Sequence, residues 1–184
     1  EEIDVMRGNQ LVITSLHSNC QEKEYFLKLM QKKITALAFD TMRDSNGLNP
    51  IVKSMSEIAG RSSILIASEY LSNIHKGKGE MLGGVTGVSP TEVVIIGAGT
   101  AGTYAAQTAH ALGALVKVFD NSVAKLDNLQ RHMGTKVFTS TIHSKVLMSA
   151  LKTADVVIGA LRIYNKRPNI VITEEMVMQM KKNS

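Results

Sequence analysis

Residues 91–120 read TEVVIIGAGTAGTYAAQTAHALGALVKVFD, and their order decides the fold. Thr91–Ile96 is a short run rich in β-branched side chains, the pattern of a buried strand. Gly97-Ala98-Gly99-Thr100-Ala101-Gly102 is a GxGxxG that opens an alanine-rich helix over Ala101–Leu112. Leu115–Phe119 then reads as a second strand, ending at Asp120. Alone the glycine motif is weak; a strand before it, a helix after it and a following acid make it a dinucleotide-binding signature. In that setting Gly97 permits the tight turn, Gly99 lets the backbone approach a pyrophosphate, and Gly102 lets the helix lie close to the sheet. The helix start offers unpaired amides and a partial positive charge to phosphate oxygens. Asp120 lies 18 residues after Gly102, where a carboxylate accepts from ribose hydroxyls and repels a 2′-phosphate. NAD is therefore favoured over NADP. The bland alternative is a glycine turn that binds nothing.

Working outward, the same alternation continues. Val123–Met133 has helical spacing, Lys136–Thr139 reads as a strand, Lys145–Lys152 as a helix and Asp155–Leu161 as an apolar strand. A last helix spans Thr173–Lys182, with Thr173 able to cap it and Glu174 and Glu175 matching its dipole. Upstream, Leu11–Leu16 reads as a buried strand, Glu22–Lys32 as a helix and Ile34–Phe39 as a strand, a βαβ unit. Arg43–Pro50 breaks the pattern and marks a boundary or hinge. A long helix is expected over Lys53–His75, with small residues such as Gly60 narrowing one face. Gly77–Pro90 is a glycine-rich loop, and its part Leu82–Pro90 is either a linker or a shaped loop beside a cofactor. The fold class is α/β: a Rossmann-type doubly wound parallel sheet plus a partial second α/β domain. The expected division is 1–48 as the tail of a substrate domain, 49–76 as a linking helix and 77–184 as the dinucleotide-binding domain.

Composition agrees. With 44% apolar and 20% charged residues the 184-residue chain is that of an ordinary globular protein. No apolar run approaches the roughly 18 residues that cross a bilayer, so no membrane partner is expected. The single cysteine, Cys20, excludes an internal disulfide and a cysteine metal cluster and points to the cytoplasm. Aromatic residues are 4% with no Trp, which argues against base stacking on nucleic acid. The net charge of +5 comes from the second part. Residues 1–50 hold six Lys/Arg against seven Asp/Glu, and residues 51–184 hold fifteen against nine. A mildly basic second part suits an anionic ligand.

In order along the chain, LVITSLH (11–17), ITALAFDTM (34–42), SMSEIAGR (54–61), LGGVTGVSP (82–90), the GxGxxG with its Asp, ADVVIGAL (154–161) and ITEEMVMQMK (172–181) resemble the alanine dehydrogenase and nicotinamide nucleotide transhydrogenase family. SMSEIAGR is the form carried by the alanine dehydrogenase branch. The resemblance implies oxidative deamination of L-alanine with NAD, giving pyruvate and ammonium. It places His17 at the substrate, bonding the pyruvate carbonyl and helping proton transfer. It places Ser56 beside the pyrophosphate, although a serine there also caps a helix. Lys125 falls where the family has a basic residue near the adenosine ribose, and the backbone at Leu161 lies along the cofactor. The remaining histidines, His75, His110, His132 and His143, read as surface residues. Glu57 and Arg61, one turn apart, read as a pair.

The chain also differs from the family. Leu161-Arg162-Ile163-Tyr164-Asn165 stands where an apolar loop with Pro-Gly is usual, Ser18-Asn19 replace small apolar residues, and Asp40 stands where Glu is common. The family's substrate-carboxylate Arg and its Lys would precede Glu1 and its catalytic Asp would follow Ser184, so the chain reads as cut at both ends. A homo-oligomer, a hexamer in the family, is implied. Two other functions fit these residues: the NAD(H)-binding part of a proton-translocating transhydrogenase, and a catalytically silent nucleotide-binding module.

Overall fold

Small side chains, β-branched runs and well-placed caps account for the elements seen. A computed structural model describes residues 2–17, 21–161, 170–182 and 184. Ser18, Asn19 and Cys20 lie outside them, as do Arg162, Ile163, Tyr164 and Asn165. The chain forms two compact units, Glu1–Met55 and Ser56–Ser184.

In the first unit, β1 (Leu11–Thr14) pairs parallel with β2 (Thr35–Ala38), Leu11 opposite Thr35 and Thr14 opposite Ala38. The crossover helix is α2 (Lys23–Gln31). Leu29, Leu16 and Ile3 form the small core, with Tyr25, Ile34, Ala36 and Ala38 packed on it. Ile3 comes from α1 (Glu2–Val5), a four-residue helix too short to show a period in the sequence. Lys32 secures it: the ammonium donates to the carbonyls of Ile3, Asp4 and Met6 at 2.7, 2.7 and 2.9 Å. A cation is favourable at a helix C-terminus, where carbonyls lack partners. The expectation that Leu11–Leu16 is buried throughout is corrected, since Leu11 and Ile13 are 63% and 64% exposed. With two strands and helices on one face among the described residues, only alternate side chains reach the core.

The long helix α3 (Pro50–Leu71) begins three residues earlier than expected. Pro50 occupies the first position, where its fixed φ fits and its missing N–H had no partner to lose. Asn49 completes the start, its Oδ1 accepting the Val52 amide at 3.0 Å. The helix stops at Leu71 rather than His75. There Ser72 accepts the Ile74 amide at 3.3 Å and opens a 3₁₀ turn over Asn73–His75.

In the second unit β3 (Glu92–Ile96), β4 (Leu115–Phe119), β5 (Phe138–Ser140) and β6 (Val156–Gly159) form a parallel sheet ordered β5-β4-β3-β6. Val93 pairs with Val116 on one side and Val156 on the other. The connecting helices are α4 (Thr100–Ala111), α5 (Val123–Met133) and α6 (Ser144–Thr153). After them, α7 (Glu174–Met178) is capped by Thr173 but is shorter than the sequence reading. Val93 and Ile95 pack with Ile64, Ala105, Ala109 and Leu129, while Val94 and Ile96 pack with Phe119, Leu147 and Leu151. Burial on both faces explains why β3 is continuously apolar rather than alternating. Each such side chain contributes about 1.5–3 kcal/mol. Gly60 is the close approach the narrow face of α3 predicts. A Cβ there would strike the Ala101 carbonyl oxygen and sit 3.0 Å from the Ala105 nitrogen, so α3 touches α4 backbone to backbone.

At the amino ends of β3 and β6, buried Asp155 accepts from the Glu92 amide at 2.9 Å, Lys181 at 2.6 Å and Lys78 at 3.2 Å. Burial pushes its carboxyl up, but the Lys181 hydrogen bond, the Glu92 amide and Lys78 together outweigh this and hold it below the ordinary carboxylate range. Glu92, bonded to Lys117 and Thr153, is lowered in the same way against its own burial. Because both folded values lie below the unfolded ones, their stabilisation is complete above about pH 4 and disappears as the pH falls through the folded values. Thermal midpoints followed from pH 7 to pH 3 should drop at the acid end, and Asp155→Asn should flatten that drop. An identical acid limb in the variant would show that Asp155 does not carry it.

Candidate functional site

The crossovers place α4 and α5 on one face of the β5-β4-β3-β6 sheet and α6 on the other. The order reverses between β3 and β6, and the loops at the carboxyl ends of these strands part there. Doubly wound sheets gather ligands at such a point. A cavity of about 650 Å³ opens at these loops, within the range of small-molecule sites.

The glycine motif forms one wall. Gly97 turns the chain at φ 113°, in the region that favours glycine, and a Cβ on it would run into the Ala160 carbonyl. Gly102 lies so close to the Gly97 carbonyl that a Cβ there would collide with it, which sets α4 against the end of β3. Gly99 is different: it caps α4 at φ −75°, and a Cβ would meet no atom within 4 Å. Its open side belongs to the cavity, beside Thr100 and Ala101. The first-turn amides of α4 have no intrahelical acceptors and carry the positive end of the helix dipole. A diphosphate fits such a cradle, since backbone can reach it directly where no side chain intervenes.

The opposite wall begins at Asp120. Buried to 6% exposure, its carboxylate accepts the Ala98 amide through Oδ2 and the Ser122 amide through Oδ1, both at 2.8 Å. The acid therefore ties the glycine loop to the end of β4, a structural task beyond the sequence reading. Each oxygen retains a lone pair for a ligand hydroxyl. Lys125 stands 3.9 Å from Oδ2, its side chain 44% exposed, and also lines the cavity. Ser56, on α3, and Leu161, after β6, complete the predicted set on this surface.

Seven predicted residues thus share one cavity: Ser56, Gly99, Thr100, Ala101, Asp120, Lys125 and Leu161. Gly97 and Ala98 form the turn behind it, Ala98 through its amide to Asp120. Asn121, Ile142 and Ala160 also line it and were not foreseen. A usable signal existed, since each follows the carboxyl end of a parallel strand. Glu57 and Arg61, read as a pair from their spacing, both engage Tyr104. Arg61 lies 5.0 Å over that ring and bonds Gln107, while the Glu57 bond raises the Tyr104 hydroxyl above its ordinary pKa.

His17 belongs to the first unit, three residues beyond β1. It is exposed, its φ is 43°, and its Nε2 lies 3.1 Å from the Ser15 hydroxyl. Its amide donates to Asp40 Oδ2 at 3.0 Å. Among the described residues no His, Cys, Asp and Glu cluster could hold a metal ion.

Parallel sheet, glycine turn, helix start and acid together define a dinucleotide-binding α/β protein of the Rossmann type. The chain belongs to the alanine dehydrogenase/PNT family, residues 63–184 matching the model described as "Alanine dehydrogenase/PNT, C-terminal domain". It is 38% identical over 183 residues to an alanine dehydrogenase of Methanococcus maripaludis, covering all of this chain and 49% of that one. It is 36% identical over 179 residues to the alanine dehydrogenase of Geobacillus stearothermophilus, covering 97% and 48%. The solved structure of an L-alanine dehydrogenase superposes with a TM-score of 0.87 at 37% identity, over 100% of this chain and 50% of that one. A transhydrogenase from Sinorhizobium meliloti shares the fold, with a TM-score of 0.79 at 23% identity, over 100% and 53%. The chain spans about half the length of the curated relatives it matches.

Proposed function

We propose that this chain is the NAD-binding portion, with part of the substrate-binding portion, of an alanine dehydrogenase. The reaction is L-alanine, NAD and water to pyruvate, ammonium, NADH and a proton. Residues 1–48 contribute to the substrate domain, 49–76 link and 77–184 bind NAD. The observation that carries this reading is the convergence of Ser56, Gly99, Thr100, Ala101, Asp120, Lys125 and Leu161 on one cavity, in a chain of this family.

NAD bound here would supply a hydride acceptor for the substrate Cα. The α4 amides and Ser56 would hold its diphosphate and Asp120 and Lys125 its adenosine ribose, with the Leu161 backbone beside it. His17 bonds the carbonyl oxygen of pyruvate and moves the proton there. The protein acts in the cytoplasm as a homo-oligomer, the hexamer of the family resemblance. Among the described residues no helix is long and apolar enough to cross a membrane.

The test is an assay of the full-length protein for alanine-dependent NADH formation and its reverse with pyruvate and ammonium, beside a titration with NADH and with NADPH. NADH binding without turnover of alanine would favour a silent nucleotide-binding module. Hydride exchange with bound NADPH on a partner protein would favour the transhydrogenase reading. Asp120 supplies a prediction of its own. Because it also anchors the Ala98 amide, Asp120→Ala should weaken NADH by about 10–10²-fold, the worth of bonds to a charged acceptor. The ratio of NADPH to NADH affinity should rise at the same time, since the charge that repels a 2′-phosphate is gone. An unchanged ratio would remove the ribose role and leave only the anchor.

A further inference from the structure

We propose that Asp40 is the positioning residue for His17, holding the turn after β1 in the conformation that sets the direction of the imidazole. This rests on the reading of His17 as the substrate-site residue. Two consecutive amides converge on one carboxylate: Leu16 N–H donates to Oδ1 at 3.1 Å and His17 N–H to Oδ2 at 3.0 Å. Successive amides point to one side only where the chain leaves the extended form, in the manner of an anion-binding nest. His17 does so at φ 43°, a left-handed conformation that a side-chain-bearing residue enters at a cost. The β1–β2 ladder cannot hold these amides, because its pairs end at Thr14 opposite Ala38. The carboxylate takes that task.

Asp40 is itself secured. The Phe39 amide donates to the Thr14 carbonyl at 3.2 Å. The Asn49 side-chain amide donates to the Asp40 carbonyl at 2.7 Å, while the same side chain caps α3 through Val52. The bond between Ser15 and His17 Nε2 steadies the ring, so both backbone and imidazole of His17 are held. A carboxylate suits this position because both oxygens accept and neither donates. An Asn would turn an NH₂ against one of the two amides.

The experiment measures kcat and KM for L-alanine, and NADH affinity, in the full-length protein. Asp40→Ala should lower kcat by about 10–10²-fold, the usual consequence of misplacing a reacting group by about 1 Å. NADH affinity should not change. Asp40→Glu, which returns a carboxylate to the same amides, should recover most of the rate, and Asp40→Asn should not. If Asp40 acts through His17, the double variant with His17→Ala should be no slower than His17→Ala alone. Losses that multiply in the double variant would overturn the proposal, as would full turnover in Asp40→Ala or a weakened hold on NADH. Should Asp40→Ala fail to fold, Asp40→Asn carries the same comparison, with circular dichroism as the check on folding. Full turnover in His17→Ala alone would instead refute the reading of His17, and the role of Asp40 with it.

Discussion

Gly99→Val weakens dinucleotide binding by about 10²–10⁴-fold and leaves the fold intact. The reason lies in the contrast among three glycines of one motif. A side chain at Gly97 or Gly102 strikes backbone, so substitution there damages the turn itself. At Gly99 the added Cβ meets nothing within 4 Å and φ is −75°, so the residue costs the fold little. Its methyls would stand in the cavity over the start of α4, between the free amides and any diphosphate. Losing two charge-assisted bonds at about 1.5–3 kcal/mol each gives the stated range, at 1.4 kcal/mol per factor of ten. Titration with NADH measures the loss, and circular dichroism with a thermal midpoint confirms the fold. Parental affinity in a folded variant would make Gly99 only a turn residue.

His17→Ala lowers turnover by roughly 10²–10⁴-fold, the usual worth of a group that polarises a carbonyl or moves a proton in the transition state. The backbone complicates that variant, because alanine also resists the positive φ of 43°. His17→Asn resolves it: Asn tolerates the left-handed region and lacks the imidazole. The two variants should lose turnover alike and bind NADH as the parent does, since the proposed cofactor contacts all belong to Ser56–Ser184. Near-parental turnover in His17→Asn would leave the histidine with no chemical role. Weakened NADH binding at unchanged saturating turnover would put it at the cofactor instead.

Much of the candidate cofactor site can be read from the sequence. A strand, a glycine turn, a helix and an acid are close in sequence, and each signal is local: β-branched runs, residues with no Cβ, and a carboxylate at a strand end. The family motifs add His17, Ser56, Lys125 and Leu161, which lie in separate segments and which no period in the chain could join. What only the tertiary structure decided depends on contacts distant in sequence. Asp120 is an anchor for Ala98, 22 residues away, before it is a ligand for anything. Lys32 holds the end of α1 from 26 to 29 residues away. Asp40 reaches back 23 residues to clamp His17, and Asp155 gathers Lys78 and Lys181 from opposite ends of the second unit. Pro50 opens a helix that composition alone would start later, because Asn49 caps it. Local preference determined which segments are strand and helix. The pairing of polar groups far apart in the chain was settled only when the backbone closed, because each such bond forms where folding removes water and supplies a partner at hydrogen-bond distance.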